Sequence, residues 1–154
     1  MSRKTKSKNR NLNLELYSSL YSFRTFGDRL SCAYCGDVRE GVDHIPPLSV
    51  VASVTPAKLR KLEVDLISVP CCSACNNTLG GRKIGTYEER LHFLYSRLQA
   101  KLESSVFWSN DEIDELSGNL REMVLSKQLH LRRECLLRLR GMERSLSRLK
   151  NDTF

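Results

Sequence analysis

Apolar and polar positions follow two rhythms along this chain: one near 3.6 residues at both ends, and short β-branched runs between them. Over residues 11–26, Leu12, Leu14, Leu16, Leu20, Tyr21 and Phe23 make a rough apolar face with Asn11 or Asn13 as cap. This predicts an N-terminal helix ended by Gly27-Asp28. Tyr17, Tyr21, Phe23 and Phe26 fall on it, and an aromatic stripe at helical spacing reads as core rather than as a base-stacking set. Leu30 to Val42 reads as a short hairpin, with Gly36 supplying the positive φ of its turn. Residues 48–63 are an insertion in which Thr55-Pro56 opens a short helix through Ala57, Leu59 and Leu62. The run from Asp65 to Pro70 predicts a second strand, and Ser73 to Leu79 a short helix stopped by Gly80-Gly81.

The second half is helical throughout. Thr86 with Glu89 three residues on has the form of a capping box, and Leu91, Leu94, Tyr95, Leu98 and Leu102 line the helix that follows. After a break at 103–109, Asn110-Asp111 caps a further helix. Ile113, Leu116, Leu120 and Met123 form one apolar run, and Leu139, Met142, Leu146 and Leu149 another, out of phase with it. The slip near 126–130 predicts either two helices or one long helix with a stutter. The seam suits a coiled-coil hairpin, a homodimer through the C-terminal helices, or packing on the chain's own helices.

Composition narrows the class. No run of about 18 apolar residues is present, so neither a transmembrane span nor a membrane partner is expected. The basic start lacks the apolar stretch of a secretory signal, which points to a cytoplasmic protein. The net charge of +7 is uneven: residues 1–10 carry five basic side chains and no acid, and residues 127–150 carry eight against two acids. A mildly acidic middle between two basic ends suggests ends that touch a polyanion. Residues 1–10 are expected as a disordered arm, with Lys4 and Lys6 meeting phosphate, as Arg132 and Arg133 would from the C-terminal helix.

The chemistry lies between Leu30 and Arg82. Cys32-Ala33-Tyr34-Cys35 and Cys72-Ser73-Ala74-Cys75 are two CxxC pairs, each able to place two thiolates on one tight turn, and together they complete the tetrahedron of a structural zinc ion. Cys71 and Cys135 are left over and read as buried small apolar residues. Asp43-His44-Ile45-Pro46-Pro47 sits between the pairs, with the histidine where a strand gives way to a loop. Arg82 and Lys83, after the Gly80-Gly81 turn, are candidate phosphate clamps.

Asp43-His44-Ile45-Pro46-Pro47 followed by Asp65 to Asn77 resembles the HNH endonuclease family, in the branch with two CxxC knuckles and a DHxPP motif. The resemblance covers roughly residues 30–82 and extends weakly to about 98. It implies an α+β fold: a small ββα-metal core with structural zinc, flanked by an N-terminal helix and a C-terminal helical extension. The organisation is then an arm over 1–10, a nuclease domain over 11–102 and a basic extension over 103–154. Residue by residue, the resemblance implies that His44 is the general base for the attacking water. Asp43 and Asn76 would hold a catalytic Mg²⁺ or Mn²⁺, and Cys32, Cys35, Cys72 and Cys75 the zinc. Two positions depart from the family pattern: Asp65 stands where a central Asn is usual, and Asn76, with Asn77 beside it, where His is frequent. The implied activity is metal-dependent hydrolysis of DNA, most simply double-stranded, leaving 5′-phosphate and 3′-hydroxyl ends. The other readings are a non-cleaving zinc-knuckle nucleic-acid binder and an interaction protein working through its C-terminal helices.

Overall fold

The computed structural model describes residues 15–55, 58–59, 65–105 and 107–151. Its one sheet contains β1 (Ser22–Phe23), β2 (Gly41–Ile45) and β3 (Ile67–Cys71) in the order β1-β3-β2. The central strand runs parallel to β1 and antiparallel to β2. The helices are α1 (Leu48–Val51), α2 (Ser73–Leu79), α3 (Tyr87–Ser104), α4 (Asn110–Asp114) and α5 (Gly118–Asn151). The fold is thus mixed α+β, and the expected order of strand, insertion, strand and helix is present in β2, β3 and α2.

Register decides what each face of the sheet does. Asp43 pairs with Val69, His44 with Ser68 and Ile45 with Ile67. Side chains alternate along a strand, so Asp43, Ile45, Ile67, Val69 and Cys71 share one face, and Val42, His44 and Ser68 the other. The first face joins the main core, which includes Tyr34, Leu79, Leu91, Leu94, Leu139 and Met142. On the other side, His44 meets the segment before β1, whose Tyr17 and Tyr21 form a smaller cluster with Val51 and Leu59.

The N-terminal expectation needs correction. Only residues 15–18 of the expected helix are helical among those described, and Ser22–Phe23 is a strand. The exposed edge of β3 offers unpaired backbone groups, and the chain takes them: Ser22 N–H donates to Leu66 O at 2.9 Å and Arg24 N–H to Ser68 O at 2.8 Å. Tyr17, Tyr21 and Phe26 are buried or half-buried as expected, but Phe23 stays exposed, with the Arg39 guanidinium 5.1 Å from its ring centroid. In the insertion the structure adds α1 directly after Pro46-Pro47. Of the helix expected from Thr55, Lys58 and Leu59 are helical, and 56, 57 and 60–64 lie outside the described residues.

The later helices form where the caps predict, with one shift. The Thr86 hydroxyl accepts from Glu89 N–H while the Glu89 carboxylate accepts from Thr86 N–H, both at 3.2 Å. The cap of α4 is Ser109, one residue before the expected Asn110-Asp111, again in a box with Glu112. The first apolar run is divided, with Ile113 on α4 and Leu120 and Met123 on α5, and the second run lies wholly on α5, a 34-residue helix about 51 Å long at 1.5 Å per residue. Residues 118–131 of α5 include no fully buried side chain, whereas Cys135, Leu139 and Met142 enter the main core beside the CxxC cysteines. Residues on both sides of position 103 therefore share one core. Among the described residues, no helix is long and apolar enough to cross a membrane.

Candidate metal centre and histidine site

The four CxxC cysteines converge. Cys32 and Cys35 sit on a hairpin closed by a Ser31–Val38 bridge, with Gly36 at φ +77°. Cys72 is the N-cap of α2 and Cys75 lies in its first turn, so the helix start delivers both remaining sulfurs. All four are buried, and their sulfurs lie within 4.8 Å of one another. The Cys35 and Cys72 sulfurs are 3.7 Å apart. A tetrahedron with Zn–S bonds of 2.3 Å requires sulfurs about 3.8 Å apart, so the cage has the size of a structural zinc site. Contact with Cys32 and Cys72 pushes the Cys35 and Cys75 thiols up. Four thiolates around a divalent zinc leave a net charge of −2, and Arg138 of α5 lies against them, its Nη2 at 3.3 Å from Cys75 Sγ. Its buried Nε has no other protein partner. Cys71 and Cys135 are buried outside the four, as expected for small apolar residues.

The knuckle is seated on α3 and α5. The carbonyl of Ala33 accepts from Tyr87 Oη at 2.6 Å and from Ser145 Oγ at 3.1 Å. Gly141 touches the knuckle backbone so closely that a Cβ there would fall 1.7 Å from Cys35 O. A glycine inside a helix costs about 1 kcal/mol relative to alanine, and here it permits a contact that no other residue allows. On the opposite flank, the Glu40 carboxylate accepts from Ser73 N–H at 2.7 Å and also from its hydroxyl, fixing the start of α2.

Asp43, expected as a cation ligand, is instead an internal ion-pair partner. It is 6% exposed, and Arg90 of α3 is 1% exposed. Arg90 Nη1 reaches both carboxylate oxygens, at 2.6 Å for Oδ1, and Tyr34 Oη donates to Oδ2 at 2.6 Å. A carboxylate has about four lone-pair positions, and three are filled. Arg90 is also held through its Nε by Ile84 O at 3.0 Å. Burial pushes the Tyr34 hydroxyl well above its ordinary pKa, so it remains a donor.

His44 lies across the sheet from this pair. It is half-buried, its Nε2 is 3.3 Å from Ser18 Oγ, and its ring meets Tyr21 edge-on with centroids 4.7 Å apart. Tyr21 is fixed in turn, its hydroxyl donating to Pro46 O at 2.7 Å, with burial pushing its pKa up to about 12. Burial holds the His44 pKa below the usual imidazole value, Asp43 partly opposing the shift and Arg90 reinforcing it. The ring is therefore neutral at pH 7, the form a base requires.

The remaining expected site residues are scattered. Asp65 is 80% exposed and pairs with Arg24 at 3.1 Å. It lies three residues before Ser68, the partner of His44, about 10 Å away along the strand direction. Asn76 and Asn77 are exposed on α2. Of the oxygen donors expected for Mg²⁺ or Mn²⁺, Asp43 is buried on the other face from His44 and Asn76 is exposed on α2. Arg82 stacks on Phe93, 4.9 Å from its centroid, with exposed Lys83 beside it on the connection to α3. Arg132 and Arg133 are exposed on α5, Arg132 with its guanidinium 5.9 Å from the Phe107 centroid. Lys4 and Lys6 lie outside the described residues.

Sequence reasoning missed Arg90, Tyr34, Gly141, Arg138 and Ser18. Arg90 had a legible signal: it falls within the stripe of Tyr87, Leu91, Leu94 and Leu98, and a charge on a buried stripe calls for a buried countercharge. Gly141 also announced itself, as a glycine inside an otherwise helical run. Comparison of the chain with protein-family models, with curated proteins and with solved structures found no match.

Proposed function

We propose that this chain is a zinc-pinned HNH-type endonuclease that hydrolyses DNA phosphodiester bonds with His44 as general base. The observation that carries the reading is the placement of His44: a half-buried imidazole held on a strand, across the sheet from a cage sized for zinc. The zinc is structural in this reading, with no role at the phosphate. His44 takes the proton of the attacking water, and the net charge of +7 favours a polyanionic substrate. A Mg²⁺ or Mn²⁺ ion would supply positive charge at the scissile phosphate. Because Asp43 is engaged by Arg90 and Tyr34, the cation requirement is an outcome to measure.

The test uses zinc-loaded protein, supercoiled plasmid and Mg²⁺ or Mn²⁺, beside His44→Ala and an EDTA control. Cutting that needs both His44 and the cation is the expected result, and the ratio of nicked to linear product reports whether two sites act together. Equal inactivity of wild type and variant, with DNA still shifted on a gel, would sink the enzyme reading for this substrate.

One observation favours the second reading, a non-cleaving zinc-knuckle nucleic-acid binder. Asp43 is committed to Arg90 and Tyr34, as a purely architectural carboxylate would be. Such a binder holds one zinc per chain and binds nucleic acid equally with and without Mg²⁺.

A further inference from the structure

We infer that Ser18 is a positioning residue for His44: its hydroxyl oxygen accepts the Nε2–H of the imidazole, which leaves the ring's lone pair on Nδ1 as the basic atom. The direction of the bond and its catalytic meaning rest on the nuclease reading; the Ser18–His44 contact itself does not.

Three observations converge on the ring. Ser18 Oγ is 3.3 Å from Nε2, within hydrogen-bond reach. Tyr21 lies edge-on to the imidazole at 82° and is itself tied to Pro46, so the ring plane is fixed as well as one of its corners. Among the described residues, Nδ1 has no protein hydrogen-bond partner.

The direction of the Ser18 bond follows from what a base needs. A neutral imidazole has one N–H and one lone pair. If the Ser18 hydroxyl donated into Nε2, the proton would sit on Nδ1 and the only lone pair would be occupied, leaving no nitrogen able to accept from water. With Nε2–H donating to Ser18 Oγ, the ring accepts at Nδ1. The water O–H bond then breaks as Nδ1–H forms, and the water oxygen bonds phosphorus. The 3′ oxygen leaves with the electron pair of the broken P–O bond and takes a proton from solvent. Ser18 and Tyr21 thus make residues 15–23 part of the active site, although they lie outside the stretch that carries the HNH resemblance.

The experiment is ¹⁵N–¹H long-range correlation on zinc-loaded full-length protein labelled at histidine, for wild type, Ser18→Ala and Ser18→Thr, with plasmid cleavage measured alongside. The expected result is a single Nε2–H tautomer for His44 in wild type, exchange between tautomers in Ser18→Ala, and its return in Ser18→Thr. In the cleavage assay, kcat falls about tenfold in Ser18→Ala, with KM little changed, and recovers in Ser18→Thr. A His44 protonated on Nδ1 in wild type, or a tautomer untouched by Ser18→Ala in a protein of unchanged melting temperature, overturns the inference. A wild type that cuts nothing, yet loses its fixed tautomer in Ser18→Ala, overturns the nuclease reading and leaves the positioning role standing.

Discussion

The two faces of the sheet are built to different standards. On the Asp43 face, a cage of four cysteines, a buried ion pair and two helices close around one another with almost no solvent between them. On the His44 face, Ser18 and Tyr21 from the segment before β1 meet a histidine that stays half-buried. The first face fixes a geometry, and the second holds one side chain that stays partly exposed. Adjacent residues of one strand serve these opposite ends because side chains alternate from face to face.

The comparison is broken most severely by removing what holds the first face together. Chelation of zinc, or Cys72→Ala, is expected to abolish cooperative folding of the core, since structural zinc in small domains contributes about 10 kcal/mol or more. Circular dichroism with a zinc assay checks this, and one zinc per folded chain is the expected stoichiometry. Next in size is Arg90→Met, which leaves a buried carboxylate with only Tyr34. A loss of about 3–5 kcal/mol is expected, read as a fall in melting temperature of roughly 6–20 °C. A double variant with Asp43→Leu should recover much of it, because the unpaired charge is then gone. Gly141→Ala follows at about 1–3 kcal/mol, the cost of forcing a methyl against the Cys35 carbonyl. Gly81→Ala, with nothing within 4 Å of its added carbon, is the control and should leave thermal unfolding nearly unchanged.

Perturbations of the second face should be milder and dependent on pH. His44 has a folded pKa below that of the unfolded chain, so the unfolded state takes up the proton first as pH falls. Its contribution to stability is complete above about pH 6.5. It declines as pH drops from there through the folded value. Melting temperatures at pH 7.5 and 5.5 should therefore differ less in His44→Gln than in wild type, and an equal difference would remove His44 as the cause. The smallest effect belongs to Arg24→Ala at the exposed Asp65 pair, where a change within about 0.5 kcal/mol is expected.

The same division explains what the sequence disclosed. The CxxC pairs, the capping box at Thr86 and the short strand before Cys71 depend on local spacing, and all are where the pattern places them. Ser22–Phe23 is a strand because of backbone groups on β3 more than 40 residues away, which no local rhythm records. Asp43 and His44 read as one motif by adjacency, and strand pleating separates them. The phase slip near 126–130 fits either one long helix or two, and the structure has one helix across it. On the long helix, Leu120 and Met123 of the first run are exposed, while Ile113 is buried on α4, so the slip carries no packing penalty.

Gly141 gives α5 an angular zero. The helix meets the zinc knuckle at one position that accepts no side chain, so its rotation about its own axis is set there and transmitted along the rod. One residue inserted between Ser126 and His130 would leave the seat intact, turn the outer segment by about 100° and lengthen the helix by about 1.5 Å. Seven inserted residues would nearly restore the original facing about 10 Å farther out. The bearing of the outer segment is therefore fixed at the four-cysteine cage, and a change in helix length is also a change of aim.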